Sequence, residues 1–159
     1  MGKVLSVYTN GWPGAIARAL DDVVVSQPNR SGAELAFGVP VALSAAGDGV
    51  VPFDPASHTG ADFVGITVRA PAKTPDAYGS DVSAYAAGDL TDVLVRGHIA
   101  AETAAGAYKP GDPVSVEKST GKFAVGTGND YVALPNVRIS GLPDAGGVAE
   151  LLLTERAVL

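Results

Sequence analysis

Glycine and proline recur along the whole chain, and this distribution constrains the fold more than any other feature of the sequence. The 159 residues include 20 glycines and 11 prolines, so the apolar runs between them are short. Glycine and proline interrupt helices and mark turns, which leaves little room for long helices. The pattern therefore indicates a series of short strands, and we predict an all-β fold.

About ten short segments have the apolar and β-branched composition of strands, a number typical of a compact sandwich or barrel. The length fits one domain with a substantial core. The only plausible helix covers residues 13–22, where a short turn or an extended arm fits the residues equally well. We predict an N-terminal arm over residues 1–22, a single β domain over residues 23–159 and at most one or two short helices.

Three segments alternate in the way that predicts a strand with a core face. In residues 35–43 the larger apolar side chains occupy odd positions, while small residues or proline occupy even ones. Pro40 lacks a backbone donor, so we expect this strand to lie at a sheet edge or to carry a bulge there. Residues 63–68 and 92–99 show the same pattern, and we expect both strands to be half exposed.

A five-residue pattern occurs twice, each time before a valine-rich segment, as Tyr85-Ala86-Ala87-Gly88-Asp89 and Tyr108-Lys109-Pro110-Gly111-Asp112. The glycine can adopt a positive φ, and the aspartate can bond nearby backbone amides. The pattern predicts two tight turns that lead into strands. They are either two copies of a repeat or two independent turns of similar composition.

Charge and composition exclude several classes of partner. The net charge is −6 at pH 7 and the basic residues do not cluster, so we expect no nucleic-acid partner. Apolar runs are shorter than the roughly 20 residues of a membrane helix, and we expect no membrane partner and no cleaved secretory signal. Cysteine is absent, which excludes disulfides and thiolate metal sites.

The sequence carries little catalytic equipment. Asp54, His58 and Asp62 have a spacing that could bind a metal from a helix, but a neighbouring proline and glycine oppose that helix and favour a solvated loop. His98 is best explained as an exposed strand position. No nucleophile motif or pair of carboxylates stands out. We therefore predict a protein that is not an enzyme and has no catalytic, cofactor-binding or metal-binding residues.

Tyr8 and Trp12 are the most suggestive aromatic residues. They enclose an Asn-Gly pair, and a Pro-Gly pair directly follows Trp12, the only tryptophan. Tryptophan is frequent where one surface buries against another. Trp12 is therefore expected either to contact a partner or to anchor the arm on its own core.

Blocks along most of the chain resemble the structural cement proteins of tailed-phage heads, and their order and spacing also fit. The blocks are residues 8–17, 35–41, 63–68, 85–99, 111–114 and 147–151. The resemblance implies a head-decoration protein with a β-barrel or β-tulip core. It would be made in the host cytoplasm and sit as trimers on the outside of an assembled capsid in the virion.

The resemblance also implies the partners. They would be the major capsid protein, whose neighbouring subunits are clamped against internal DNA pressure, and further copies of the chain itself. We expect the arm from Lys3 to Ile16 to make the capsid contact, because an extended apolar segment can pair with capsid strands through backbone hydrogen bonds. The candidate contact residues are Val4, Val7, Tyr8, Trp12 and Ile16.

Two other functions are compatible with the composition. The first is a small all-β enzyme or a carbohydrate-binding module, which the few dispersed aromatic residues disfavour. The second is another virion part, such as a tail or head-fibre component.

Overall fold

The computed structural model describes residues 10–69 and 84–154. These ranges contain eleven strands and one 3-10 helix, Gly60–Asp62, and none of their helices could cross a membrane. The strands are β1 (Ile16–Pro28), β2 (Leu35–Ala36), β3 (Pro40–Leu43), β4 (Val50–Pro52), β5 (Phe63–Thr67), β6 (Ala84–Tyr85), β7 (Leu90–Glu102), β8 (Pro113–Glu117), β9 (Phe123–Ala124), β10 (Tyr131–Gly141) and β11 (Val148–Leu153). The predicted all-β class is confirmed.

Nine strands form one sheet, which curls into a half-barrel. Its order is β4-β3-β5-β7-β11-β10-β8-β9, β1 pairs with β7 in addition, and β2 and β6 form a separate two-stranded sheet. Every pairing between these strands is antiparallel. Antiparallel neighbours can be joined by tight turns, so the frequent glycines suit the connections that this topology needs.

The long strand β7 is shared by two branches of the sheet. Its first half pairs with β5 and its second half pairs with β11, while β1 runs beside it. The β5 branch leads to β3 and β4, and the β11 branch leads to β10, β8 and β9. The position of β7 therefore decides how the two branches lie against each other.

Gly97 lies where β7 passes from one branch to the other. Its φ is +121°, and the register of β1 against β7 shifts at this point. A Cβ on Gly97 would lie 1.9 Å from Oδ1 of Asp22, an oxygen that accepts a hydrogen bond from the backbone N–H of His98 at 3.2 Å. Only glycine fits both the backbone conformation and the close approach of the aspartate.

The apolar side chains form two core clusters, and β5 and β7 contribute to both. Leu94 belongs to one cluster, whereas its neighbours Val93 and Val95 belong to the other. Successive strand residues point to opposite faces, so the clusters lie on the two sides of β7. All five residues of β5 are buried. The expectation of a half-exposed strand is wrong for β5, because both of its faces are covered. In residues 92–99 it holds in part, because Arg96 is exposed whereas Leu94 is buried.

Residues 35–43 form two strands rather than one. β2 ends at Ala36, the chain bends at Gly38 with a φ of +71°, and β3 begins at Pro40. β3 lies between β4 and β5, so the sheet-edge placement of Pro40 is wrong, although the register against β5 does shift within β3. Pro40 is the first residue of the strand, a position that tolerates the missing N–H.

The described chain begins with a turn that leads into β1, so the helix considered over residues 13–22 is wrong. The N–H of Ala15 donates to the carbonyl of Trp12 at 2.9 Å, and β1 starts at the next residue. β1 continues through the boundary between residues 22 and 23 that separates the predicted arm from the predicted domain. That division stays a prediction.

Both copies of the five-residue pattern form the same turn, as predicted. The N–H of Asp89 donates to the carbonyl of Ala86 at 3.1 Å, and its Oδ2 accepts from the N–H of Ala86 at 3.0 Å. Asp112 makes the same two bonds with Lys109, at 3.1 and 2.8 Å. The intervening glycine has a φ of +81° in the first copy and +91° in the second. The two turns lead into β7 and β8.

Candidate interaction surface at the start of the described chain

A turn at residues 12–14 joins the N-terminal segment to the sheet. The N–H of Gly14 donates to the carbonyl of Ala100 at 2.8 Å, and the carbonyl of Gly14 accepts from the N–H of Arg69 at 2.7 Å. The φ of Gly14 is +82°, and a Cβ there would lie 2.8 Å from the backbone nitrogen of Arg69. Because backbone atoms cannot move aside as a flexible side chain can, this position requires glycine.

Asn10 ties the chain before this turn to the connection between β10 and β11. Its side-chain amide donates to the carbonyls of Leu142 and Val148, both at 2.7 Å, and its backbone N–H donates to Oδ2 of Asp144 at 3.0 Å. The N–H groups of Val148 and Gly146 donate to Oδ1 of the same aspartate. These bonds, with that from Val148 first, hold the pKa of Asp144 below its ordinary value. Asp144 is therefore charged at neutral pH.

The side chain of Trp12 is 68% exposed, so the ring does not enter the core. The guanidinium carbon of Arg69 lies 5.4 Å from the centre of the Trp12 ring and 5.6 Å from that of Phe37. Arg69 thus contacts an exposed ring and a buried ring in cation–π geometry. This arrangement positions Trp12 while leaving most of its surface accessible.

Trp12 also lines an open groove of about 400 Å³, which we call the root groove. Its lining residues are 11–13, 102, 144–146 and 148. Glu102 is the last residue of β7 and pairs with Val148, the first residue of β11. The groove therefore lies at the end of the β7–β11 pair, directly beside the point where residues 1–9 join the described chain.

The structure describes two of the five predicted contact residues. Trp12 lies at the root groove, and Ile16 is 39% exposed at the start of β1. Val4, Val7 and Tyr8 lie outside the described residues. The contact role of all five stays a prediction.

Leu142 is an exposed apolar residue that sequence reasoning missed. Its side chain is 53% exposed, and its carbonyl accepts the hydrogen bond from Asn10. The two residues are 132 positions apart, so no local pattern could bring them together. With Trp12, Leu142 adds apolar surface near the start of the described chain.

Asp54, His58 and Asp62 take part in local turns. Asp54 accepts two hydrogen bonds from the turn that follows it, Asp62 accepts two from Thr59, and Nδ1 of His58 accepts from the N–H of Asp54 at 2.9 Å. Across residues 10–69 and 84–154, no group of three or more acidic or histidine side chains could hold a metal ion.

His98 is less exposed than expected for an open strand position. Its side chain is 25% exposed, and its Nε2 lies 4.0 Å from Oε1 of Glu150. The same oxygen pairs with Nε of Arg18 at 2.9 Å and accepts from the hydroxyl of Ser140 at 3.1 Å. The cluster links β1, β7, β10 and β11, which makes a structural role its simplest explanation.

The protein is a curled antiparallel sheet, and it exposes apolar side chains beside its N-terminal segment. These features are typical of a structural domain that interacts with other proteins. The model of one family, described as structural cement protein (E217 gp24/Pam3 gp6), matches residues 4–154. The chain belongs to this family of phage structural cement proteins.

Comparison with solved structures gives a consistent result for the fold. A chain from a structure titled "The capsid of Myoviridae Phage XM1" is similar with a TM-score of 0.73. The similarity covers 97% of this chain and 96% of that one, at 19% sequence identity, and it shows a shared fold. The search of curated proteins found no match.

The family resemblance predicted from the sequence is confirmed. Members of this family are virion components that decorate and stabilise the capsid, so the chain is associated with capsid proteins and its family role is structural.

Proposed function

We propose that this protein binds the outer surface of the assembled phage head, where it joins neighbouring major-capsid subunits and stabilises the shell against internal DNA pressure. The observation that carries the proposal is the family match over residues 4–154. The exposed apolar side chains of Trp12 and Leu142 support a contact at the start of the described chain.

Mass action explains how such binding stabilises a shell. A ligand that binds only the assembled state favours that state, by about 2.7 kcal/mol per site when its free concentration is 100 times its Kd. Many copies on one head multiply the effect. The role needs binding energy and a rigid body, and it needs no chemical reaction.

The proposed contact is the N-terminal arm, residues 1–22, pairing with capsid strands through its segment up to Ile16. We propose Val4, Val7, Tyr8, Trp12 and Ile16 as the contacting side chains. The exposure of Trp12 and Ile16 supports this choice, and the bonds of Asn10 to the β10–β11 connection supply a fixed base for the arm.

The proposal includes three further features. The protein acts as a homotrimer on the shell, it is not an enzyme, and it contacts neither nucleic acid nor membrane. The net charge of −6 supports the exclusion of nucleic acid, because phosphates repel an acidic surface. Size-exclusion chromatography with light scattering would report the mass of the free protein, and particle reconstruction would report its arrangement on the shell.

The test of function uses purified protein and undecorated, expanded capsids. We expect saturable co-sedimentation with a fixed number of copies per capsid and a higher disruption temperature by calorimetry. Absence of binding to expanded capsids would refute the decoration function.

A matched pair of variants tests the position of the contact. Trp12→Ala should weaken capsid binding at least tenfold, because buried tryptophans dominate interface energies. Leu90→Ala removes a similarly exposed side chain, 64% accessible, at the other end of β7 and should leave binding unchanged. Equal affinities of the two variants would place the contact elsewhere, whereas the decoration function would stand.

A further inference from the structure

The root groove combines an exposed aromatic ring with acidic side chains. Trp12, Pro13 and Val148 give it apolar walls, and its two charged lining residues, Glu102 and Asp144, are both acidic. A long side chain with an apolar stem and a cationic end complements this combination, because the stem packs on apolar walls while the charge meets a ring face or a carboxylate. Lysine and arginine have this form.

The two carboxylates of the groove differ in how firmly their partners hold them. Asp144 is held by the backbone N–H groups of Asn10, Gly146 and Val148 and keeps its charge in place. The side chain of Glu102 is 52% exposed and pairs with Nζ of Lys122 at 3.0 Å. Exposed ion pairs contribute little net stability, so Glu102 can exchange Lys122 for a partner's cation at small cost.

Arg69 gives an intramolecular example of the contact. Its guanidinium already lies over the Trp12 ring, and yet that ring remains 68% exposed. The ring thus attracts a cation in this protein and has room for another group.

We infer that the root groove binds a lysine or arginine side chain presented by the capsid partner. The inference rests on the proposed function, since it assigns the chemistry of one contact within it. An acidic partner side chain would be repelled by both carboxylates, and a purely apolar one would leave them unused.

The probe is Nα-acetyl-lysine methylamide, which keeps its charged ε-ammonium group. Nα-acetyl-norleucine methylamide is the uncharged control with a similar aliphatic stem. Trp12 is the only tryptophan, so its fluorescence reports on the groove directly. We expect the lysine compound to change the Trp12 fluorescence in a saturable way, and we expect the norleucine compound to bind at least threefold more weakly. Equal responses to the two compounds, or no response to either, would overturn the inference.

Charge variants give effects of opposite sign. Glu102→Gln should weaken binding of the lysine compound about threefold, and Lys122→Gln should strengthen it by a similar factor, because it frees Glu102. Glu34→Gln removes an exposed charge outside the groove and should change nothing. Equal affinities in all three variants would overturn the inference, and circular dichroism checks that each is folded.

The capsid assay separates this inference from the function on which it rests. If the wild-type protein binds capsids and Glu102→Gln binds equally well, the cation assignment fails and decoration stands. If the wild-type protein does not bind capsids, the proposed function fails whatever the lysine compound does.

Discussion

Replacement of Gly97 by alanine tests how the shared strand β7 is built. The substitution adds one methyl group at a residue with a φ of +121°, a value that L residues rarely adopt. It also places that methyl group 1.9 Å from Oδ1 of Asp22, so the aspartate must move and lose its hydrogen bond from His98. Strain and a lost contact should therefore act together.

The expected magnitude follows from these two parts. Strained backbone at one residue costs about 1–3 kcal/mol, and loss of the bond to Asp22 adds about 1 kcal/mol. We expect Gly97→Ala to lower the free energy of unfolding by about 3 kcal/mol. Gly88→Ala is the matched control, because Gly88 has a φ of +81° and no atom of the described residues lies within 4 Å of the place its new methyl group would take. It should cost only about 1–2 kcal/mol.

The test is completed by urea denaturation of four variants, which are Gly97→Ala, Gly88→Ala, Asp22→Ala and the double variant Asp22→Ala/Gly97→Ala. Asp22→Ala loses one hydrogen bond, which destabilises the fold. It also removes Oδ2, a buried oxygen that has no partner among the described residues, and this offsets part of the loss. Asp22→Ala should therefore lower the free energy of unfolding by less than about 1 kcal/mol. The double variant should be more stable than additivity predicts by about 1 kcal/mol. Additive effects, or equal costs at Gly97 and Gly88, would refute the reasoning.

Three further predictions concern single hydrogen-bond donors and acceptors. Tyr85→Phe should lower the free energy of unfolding by about 1–2 kcal/mol, because the buried hydroxyl donates to the carbonyl of Val68 at 2.6 Å; a neutral result in urea denaturation would contradict it. Asp89→Ala and Asp112→Ala should each cost about 1 kcal/mol and add in the double variant, because the two turns are separate; a strong coupling would count against independent turns. Asp144 has a lowered pKa in the folded state, so its contribution is present above its unfolded pKa, near 3.8, and is lost as the pH falls through the folded value. The Tm of Asp144→Ala should therefore be below that of the wild type at pH 7. Below pH 4 the Tm of the wild type should fall further than that of the variant, and Tm profiles that run parallel would rule this out.

Local sequence chemistry predicted much of the fold. The turns at Asp89 and Asp112 form as expected, because their bonds join residues three apart and depend on glycine and aspartate within the same five residues. The frequent glycines and prolines along the chain predict the all-β fold class. These features need no knowledge of distant parts of the chain.

The missed features are long-range. Alternation in residues 92–99 predicts one polar face, but Leu94 on that face is buried in the core. The register of β7 against β1 also shifts at Gly97, where Asp22 approaches from β1. The contact between Asn10 and Asp144 joins residues 134 positions apart, so the root groove could not be foreseen. Residue type and the turn-forming pairs on either side draw attention to Trp12 in the sequence, whereas Leu142 has no such signal.

The pairing of β1 with β7 has a mechanical consequence for an attached arm. β1 has 13 residues and begins two residues after the Gly14 turn, so tension on the preceding chain is delivered close to one end of the strand. A pull along the strand axis loads the inter-strand hydrogen bonds in shear. The regular pairing of residues 24–28 with residues 90–94 must then break as a unit. A pull across the strands would open the bonds one after another at lower force. If the arm is the anchor that we propose, this pairing lets it carry an outward load from the shell while the body of the protein keeps its shape.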